Sequence, residues 1–266
     1  MHADLENLRR AEIEAVRRYF KSGMRILDLG GGSGYQASLI ASYGCEVLSI
    51  DLPHRPVPPR VFYPVQDYDG RNVPATDASF DIVFSSNVLE HIRTLEHTLG
   101  EIRRVLKPGG LAIHVLPTAS WRFWMSISYF AYLLKRVGSR LRSGQTTVSD
   151  EPTVQDVVKR RGTIGFLVRL LLNPVLPHGE YPNALAELYY FSKYRWLRVF
   201  RSNGYDVLRA FNNNLYYTGY GLFPSMSLEV RSSIARVLGS ACHIFVMRSF
   251  PTRTTPTTQQ SRPHSP

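Results

Sequence analysis

Three observations predict an α/β fold, a mostly parallel sheet with helices on both faces. A short apolar run, Arg25–Leu29, feeds a glycine cluster at Gly30, Gly31, Gly32 and Gly34. A second strand, Glu46–Ile50, is followed directly by a carboxylate, Asp51. Phe80–Phe84 is a near-continuous apolar run, as expected of a strand covered on both faces. A buried strand entering a tight glycine turn that opens a helix is the usual nucleotide-binding start of such a sheet. Glycine gives the backbone freedom for the turn and lets a ligand lie against bare main chain.

The glycine spacing narrows the ligand. A dinucleotide fingerprint starting at Gly30 needs glycine at position 35, which is Tyr35. A P-loop needs a Gly-Lys-Ser/Thr ending, and this turn has no lysine. What remains is Asp28-Leu29-Gly30-Gly31-Gly32-Ser33-Gly34. A carboxylate beside the turn repels a pyrophosphate and suits a positively charged ligand, such as the ammonium and sulfonium of S-adenosylmethionine.

The other elements follow in order. Residues 4–21 read as an amphipathic helix, with Leu5, Leu8, Ala11, Ala15 and Tyr19 on one stripe and Ser22-Gly23 as its stop. It serves either as a lid on the cofactor site or as core packing. The first helix spans about Gly34–Ser42. Asp51, about 20 residues past the first glycine, is placed to accept ribose hydroxyls. Val61–Val65 is expected as strand three. Strand four runs into Ser86, Asn87 and the Glu90-His91 pair, at the strand ends where ligands of open α/β sheets lie. Thr94–Leu106 reads as a helix terminated by Lys107-Pro108-Gly109-Gly110. Leu111–Leu116 is strand five. Glu187–Asn203 reads as one helix ended at Gly204. Tyr205–Phe211 is strand six, Met226–Leu238 a helix, and Cys242–Arg248 an antiparallel edge strand. The Thr/Pro/Ser-rich stretch from Pro251 reads as a disordered tail.

These pieces in this order closely resemble the class I S-adenosylmethionine-dependent methyltransferases, in the branch that includes the ubiquinone and menaquinone biosynthesis enzymes (methyltransferase domain 11). The matching residues are Asp28-x-Gly-Gly-Gly-x-Gly, Asp51, Asp69-Gly70, Phe80–Val83, Asn87–His91 and Leu106–Gly110, within about residues 23–117. The resemblance implies a Rossmann-like, seven-stranded sheet and S-adenosyl-L-methionine as cofactor. It implies cofactor contacts from Asp28, Gly30, Gly31, Gly32, Gly34, Asp51, Leu52, Asp69, Gly70, Ser86 and Asn87, with Asp69 at the adenine amino group and Asp67 as the nearby competitor for that role. It divides the chain into an N-terminal helix (1–22), a cofactor-binding core (23–117), a helical insertion after strand five (118–180), the C-terminal part of the fold (181–250) and the tail (251–266).

Composition bounds the rest. The chain has 266 residues, 44% of them aliphatic or aromatic and 20% charged, ordinary for a globular protein. The formal charge of +11 predicts attraction to nucleic acid or an anionic membrane face. Cys45 and Cys242 are too few for a disulfide framework, and no Cys/His cluster has zinc spacing, so no metal is expected. The acidic N-terminus is unlike a secretory or transit peptide, and no apolar run approaches the ~18 residues of a membrane span. A cytoplasmic location is expected, with peripheral contact to the cytoplasmic membrane face.

The insertion carries the specific expectation. Trp121–Val137 has twelve apolar positions of seventeen, and the stretch 118–180 holds nine Lys/Arg against four acids. Apolar helices with basic ends and interfacial tryptophans suit the headgroup layer of an anionic bilayer. The alternatives are a soluble helical cap and a nucleic-acid platform, which the aliphatic run Phe166–Leu172 fits poorly. Trp121, Trp124, His178 and Glu180 are substrate-contact candidates; His178-Gly179-Glu180 also reads as a polar turn.

For catalysis, methyl transfer from a sulfonium requires alignment, exclusion of water and, for a hydroxyl acceptor, a proton acceptor. His91 is the first base candidate and His178 the second, although His91 also suits a role in shaping the pocket. The expected activity is methyl transfer to a lipid, quinone-like or lipid-linked saccharide acceptor at a membrane. The rivals are a soluble small-molecule or sugar methyltransferase with 118–180 as its lid, and a non-enzymatic cofactor-binding scaffold recruited to membranes.

Overall fold

A computed structural model of the chain describes residues 2–53, 60–129, 184–218 and 226–250, with side chains from residues 5 and 186 onward in the first and third segments. Helix α1 (His2–Val16) leads through a 3-10 turn (Arg17–Tyr19) to β1 (Arg25–Leu29), α2 (Tyr35–Ser42), β2 (Glu46–Asp51), β3 (Gln66–Asp67) and β4 (Phe80–Ser86). After a 3-10 turn at Leu89–His91 come α3 (Leu95–Val105), β5 (Leu106–Pro117) and α4, described over residues 119–129. The chain returns with α5 (Ala184–Tyr190), α6 (Lys193–Ser202), β6 (Tyr205–Asn212), α7 (Leu228–Leu238) and β7 (Cys242–Ser249).

The strands form one seven-stranded sheet in the order β3-β2-β1-β4-β5-β7-β6. β1, β2, β3, β4 and β5 pair in parallel, whereas β7 runs antiparallel to both β5 and β6. Successive side chains on a strand point to opposite faces, and the core follows that alternation. Leu27, Val83, Phe245 and Met247 pack with Leu99, Ile102, Trp196 and Phe200 beneath α3 and α6. Ile26, Ile82, Phe84, Ile113 and Ile244 pack with Ile13, Val16, Ile40 and Trp121 beneath α1, α2 and α4.

Several elements differ from the sequence expectation, each for a local reason. The buried stripe of α1 is Leu8, Glu12, Ile13 and Val16, continuing to Phe20; it is rotated from the Leu5–Ala11–Ala15 line and includes a charge. Val61–Val65 is not a strand. Pro64 lacks the N–H a ladder needs, and the segment packs over the glycine turn instead, with Phe62 N donating to Ser33 O at 2.9 Å. Only Gln66–Asp67 pairs with β2. Lys107–Gly110 is not a helix cap but a bulged start to β5, where the register slips between Phe80↔Leu106 and Ile82↔Leu111. The helix expected over 187–203 is broken at Phe191–Ser192, where Ser192 Oγ caps α6 by accepting from Arg195 N at 3.3 Å.

The expected edge strand is an interior one. In β7, Ile244, Phe245, Val246 and Met247 are all buried. Full burial of such side chains contributes about 1.5–3 kcal/mol each, which favours a place covered on both faces. β6 exposes Leu208 at 43% and takes the edge. Of the 118–180 insertion, only residues 118–129 are described. Thr118 Oγ1 caps α4 by accepting from Trp121 N at 2.9 Å. Buried Arg122 of α4 forms an ion pair with buried Glu187 of α5, joining the start of the insertion to the returning chain. Among the described residues no helix is long and apolar enough to cross a membrane.

Candidate functional site

The main chain turns immediately after β1. The N–H groups of Gly30 and Gly31 donate to Ile50 O at 2.8 and 3.1 Å, tying the turn to the tip of β2. Gly34, at φ +74°, precedes α2, and a β-carbon on it would collide with the main chain of Tyr63. Gly32, at φ +55°, has open space where a β-carbon would stand. At the tip of β2, Asp51 accepts from Gly32 N (2.8 Å, Oδ2) and Leu52 N (2.7 Å, Oδ1). Its two fixed oxygens keep lone pairs for a pair of neighbouring hydroxyls.

These groups wall a hollow of about 1250 Å³ at the carboxyl ends of β1, β2 and β4. Of the residues singled out in the sequence, Gly30, Gly31, Gly32, Asp51, Leu52, Asp69, Gly70, Ser86, Asn87 and His91 line it, together with Arg9, Phe62 and Tyr68. Asp28 and Gly34 are not on its wall. Asp28 is 2% exposed and lies behind the turn, where Ser49 Oγ donates to it at 2.7 Å. Burial pushes its carboxyl up to about 6, with the Ser49 bond opposing and Asp51 adding to the rise. Asp28 thus stands behind the turn, bonded to Ser49, and not on the wall of the hollow. Asp69 holds its own loop: Oδ1 accepts from Arg71 N and Asn72 N, both at 2.7 Å, and Oδ2 from Asn72 Nδ2 at 2.9 Å. The bonds from Asn72 and Arg71 keep its carboxyl below the usual range.

A second chamber of about 300 Å³ adjoins the first and shares Leu5, Arg9, Asn87 and His91 with it. Its other walls are Leu8 and Glu12 of α1, Trp121 and Met125 of α4, Asn213 and Tyr217 after β6, and Ala241 and Cys242 at β7. The polar side chains here bond one another. Arg9 Nη1 donates to Glu12 Oε2 at 2.9 Å and to Ser86 Oγ at 2.7 Å, and Ser86 Oγ donates to Glu12 at 3.0 Å. Asn213 Oδ1 accepts from Leu215 N and Cys242 N. Cys242 is buried, which raises its thiol well above the ordinary value.

Of the substrate candidates, Trp121 reaches this chamber. Trp124 does not; its Nε1 donates to Leu238 O at 2.8 Å and pins α4 to α7. His178 and Glu180 lie outside the described residues. Arg9, Glu12, Met125 and Tyr217 were missed by sequence reasoning. For the first two a signal existed, since charges at positions 9 and 12 lie among the apolar positions of α1. Among the described residues no cluster of His, Cys, Asp and Glu is placed to hold a metal ion.

Fold and hollow together define an α/β protein with a glycine-turn site, topped by the Asp51 carboxylate, at the carboxyl ends of its strands. A family model described as a methyltransferase domain matches residues 1–210, and the chain belongs to that family, in agreement with the resemblance read from its motifs. An uncharacterized methyltransferase of Mycobacteroides abscessus is 37% identical over 100 residues, 34% of this chain and 39% of that protein. A ubiquinone biosynthesis O-methyltransferase of Cereibacter sphaeroides is 34% identical over 99 residues, 34% of this chain and 40% of that protein. The chain thus spans about two-fifths of these relatives' length. The crystal structure of an S-adenosylmethionine-dependent methyltransferase from Mesorhizobium loti shares the fold, with a TM-score of 0.50 at 17% identity over 90% of this chain and 97% of that one.

Proposed function

We propose that the protein is an S-adenosylmethionine-dependent methyltransferase acting on an apolar, lipid or quinone-like acceptor at an anionic membrane face. The observation that carries this reading is the pair of adjoining chambers, one walled by the glycine turn and Asp51, the other closed by Leu8, Trp121, Met125 and Tyr217 around the bonded Arg9–Glu12 pair. Asp51 accepts the ribose hydroxyls, Phe62, Tyr68, Leu52 and Gly70 flank the adenine, and bare backbone at Gly32 admits the amino-acid end. The cofactor supplies a methyl group on a sulfonium, which is strongly electrophilic.

The residues of the chain align the acceptor and keep water out. Leu5, Leu8, Trp121, Met125 and Tyr217 surround it with apolar surface, and His91, on the wall of both chambers, takes the proton of a hydroxyl acceptor. A saccharide acceptor would need several free hydrogen-bonding partners, whereas Arg9, Glu12 and Asn213 already bond neighbours. A lipid-linked saccharide remains within the reading if its apolar part enters here. The membrane part is supported by Phe123 and Ile127, one turn apart on α4 and 48% and 44% exposed, together with the +11 charge.

Methyl-labelled cofactor incubated with protein and a cell extract split into lipid and aqueous fractions tests the reading. Label is expected in the lipid fraction. Label confined to the aqueous fraction assigns the second chamber to a soluble acceptor instead.

A further inference from the structure

We propose that Glu90 is the proton store of the site: its carboxyl, acting through His91, is ionised while a sulfonium occupies the large hollow and takes up a proton once that charge has gone. The proposal rests on the S-adenosyl reading above.

Glu90 is 1% exposed, and among the described residues no other residue hydrogen-bonds its carboxyl oxygens; its own backbone N–H and His91, 3.8 Å away, are what stand near them. A buried charge in that position is costly unless something opposes it. The charged and titratable groups facing it are Arg9 and Glu12 from α1, His91 from its own turn and Cys242 from β7. Arg9 is already joined to Glu12, whose carboxylate also accepts from Ser86 at 3.0 Å and Gln36 at 3.3 Å. One guanidinium is matched by one carboxylate, and Glu90 is the acid left over.

Burial pushes the Glu90 carboxyl up to about 8; its own backbone N–H and then Arg9 oppose the rise, and Glu12 adds to it. Near neutral pH Glu90 is therefore protonated in the empty protein. Ser86, Asn87 and Val88 before it and His91 after it line the large hollow, so a cation there favours the ionised form. His91 Nε2 stands 3.8 Å from Glu90 Oε1, and the His91 side chain is 41% exposed, which gives the proton a way out.

The balance for a hydroxyl acceptor is closed. The acceptor O–H bond breaks and an O–CH₃ bond forms, while the S–CH₃ bond breaks and its electron pair stays on sulfur. The released proton enters the imidazole at one ring nitrogen and leaves from Nε2 to the Glu90 carboxylate. Before transfer the site holds one sulfonium and one carboxylate; afterwards it holds a thioether and a carboxylic acid. No net charge is created in the buried space.

Calorimetric titration of the full chain with S-adenosylmethionine and with S-adenosylhomocysteine, in buffers of different ionisation enthalpy, reads the protons released on binding. For a carboxyl near 8 at neutral pH, S-adenosylmethionine should release up to about 0.9 proton more than S-adenosylhomocysteine. That excess should fall in Glu90→Gln by roughly the same amount. Glu90→Met, which replaces a buried acid that no other residue hydrogen-bonds by an apolar side chain of similar volume, is a second variant expected to fold and to lose the excess likewise. An excess equal in wild type and in either variant overturns the role of Glu90. If neither ligand binds the wild-type protein, the donor reading itself falls, and that outcome is distinct from the first.

Discussion

The two chambers are built on opposite plans. The large hollow is walled by turns at residues 30–33, 51–53, 69–70 and 86–88, each following a strand or closing a loop, with side chains such as Arg9, Phe62, Tyr68 and His91 completing it. The small chamber is shaped by side chains from α1, the end of β4, α4, the segment after β6 and the start of β7. A site made of backbone depends on local conformation, which a short motif can dictate. A site made of side chains depends on tertiary packing, and many sequences can build it. On the function proposed above, the first holds the cofactor and the second the acceptor.

Gly34→Val is the strongest way to break the first plan while sparing the second. The left-handed conformation costs a non-glycine residue about 1–2 kcal/mol, and the collision with the Tyr63 main chain adds to that. The expected total is about 3 kcal/mol or more, a fall in Tm of roughly 6–12 °C for a chain of this size. Thermal unfolding checks the loss, and calorimetry should show that S-adenosylhomocysteine no longer binds. A variant of unchanged Tm would mean that the 61–65 segment does not lock the turn.

This division explains what was legible in the sequence. β1 and the tip of β2 could be read because Asp28, the glycines and Asp51 fix backbone geometry over a few residues. The interior place of β7 was visible in principle, since Ile244–Met247 is an unbroken apolar run while Asp206 and Arg209 interrupt the apolar residues of β6. The break at Ser192 and the rotated stripe of α1 were not read, because packing of Phe191, Glu12 and Phe20 against distant elements decides both. The charges at Arg9 and Glu12 stand out among the apolar positions of α1, but their partner, Ser86, lies more than seventy residues away and could not be read from them.

A paired substitution sharpens the comparison at intermediate size. Asp51→Ala removes the acceptor of two backbone N–H bonds as well as the ribose contacts, about 2–3 kcal/mol of binding, or roughly 30–150-fold in Kd for S-adenosylhomocysteine. Met125→Trp fills the small chamber and should leave that Kd within about threefold while abolishing methyl transfer to the acceptor. Equal weakening by both would show that the chambers are one site energetically.

Asp28→Asn has the smallest expected effect and separates a carboxylate that touches the ligand from one that carries the turn. The folded protein holds the Asp28 carboxyl at about 6, above its ordinary value near 4, because it is buried. Between those two values the native state binds more protons than the unfolded chain, so stability falls as pH rises from 4 to 6 and stays lower above. The gap between them sets a ceiling of about 3 kcal/mol on that loss. Asn does not ionise and can still accept the Ser49 bond, so urea denaturation should find the variant little changed near pH 4 and more stable by about 1–2 kcal/mol at pH 8. S-adenosylhomocysteine affinity should change by less than about threefold, far less than in Asp51→Ala. If binding instead collapses in Asp28→Asn while stability rises, the carboxylate acts on the ligand through the turn. The large hollow would then depend on side-chain charge as much as the small one does.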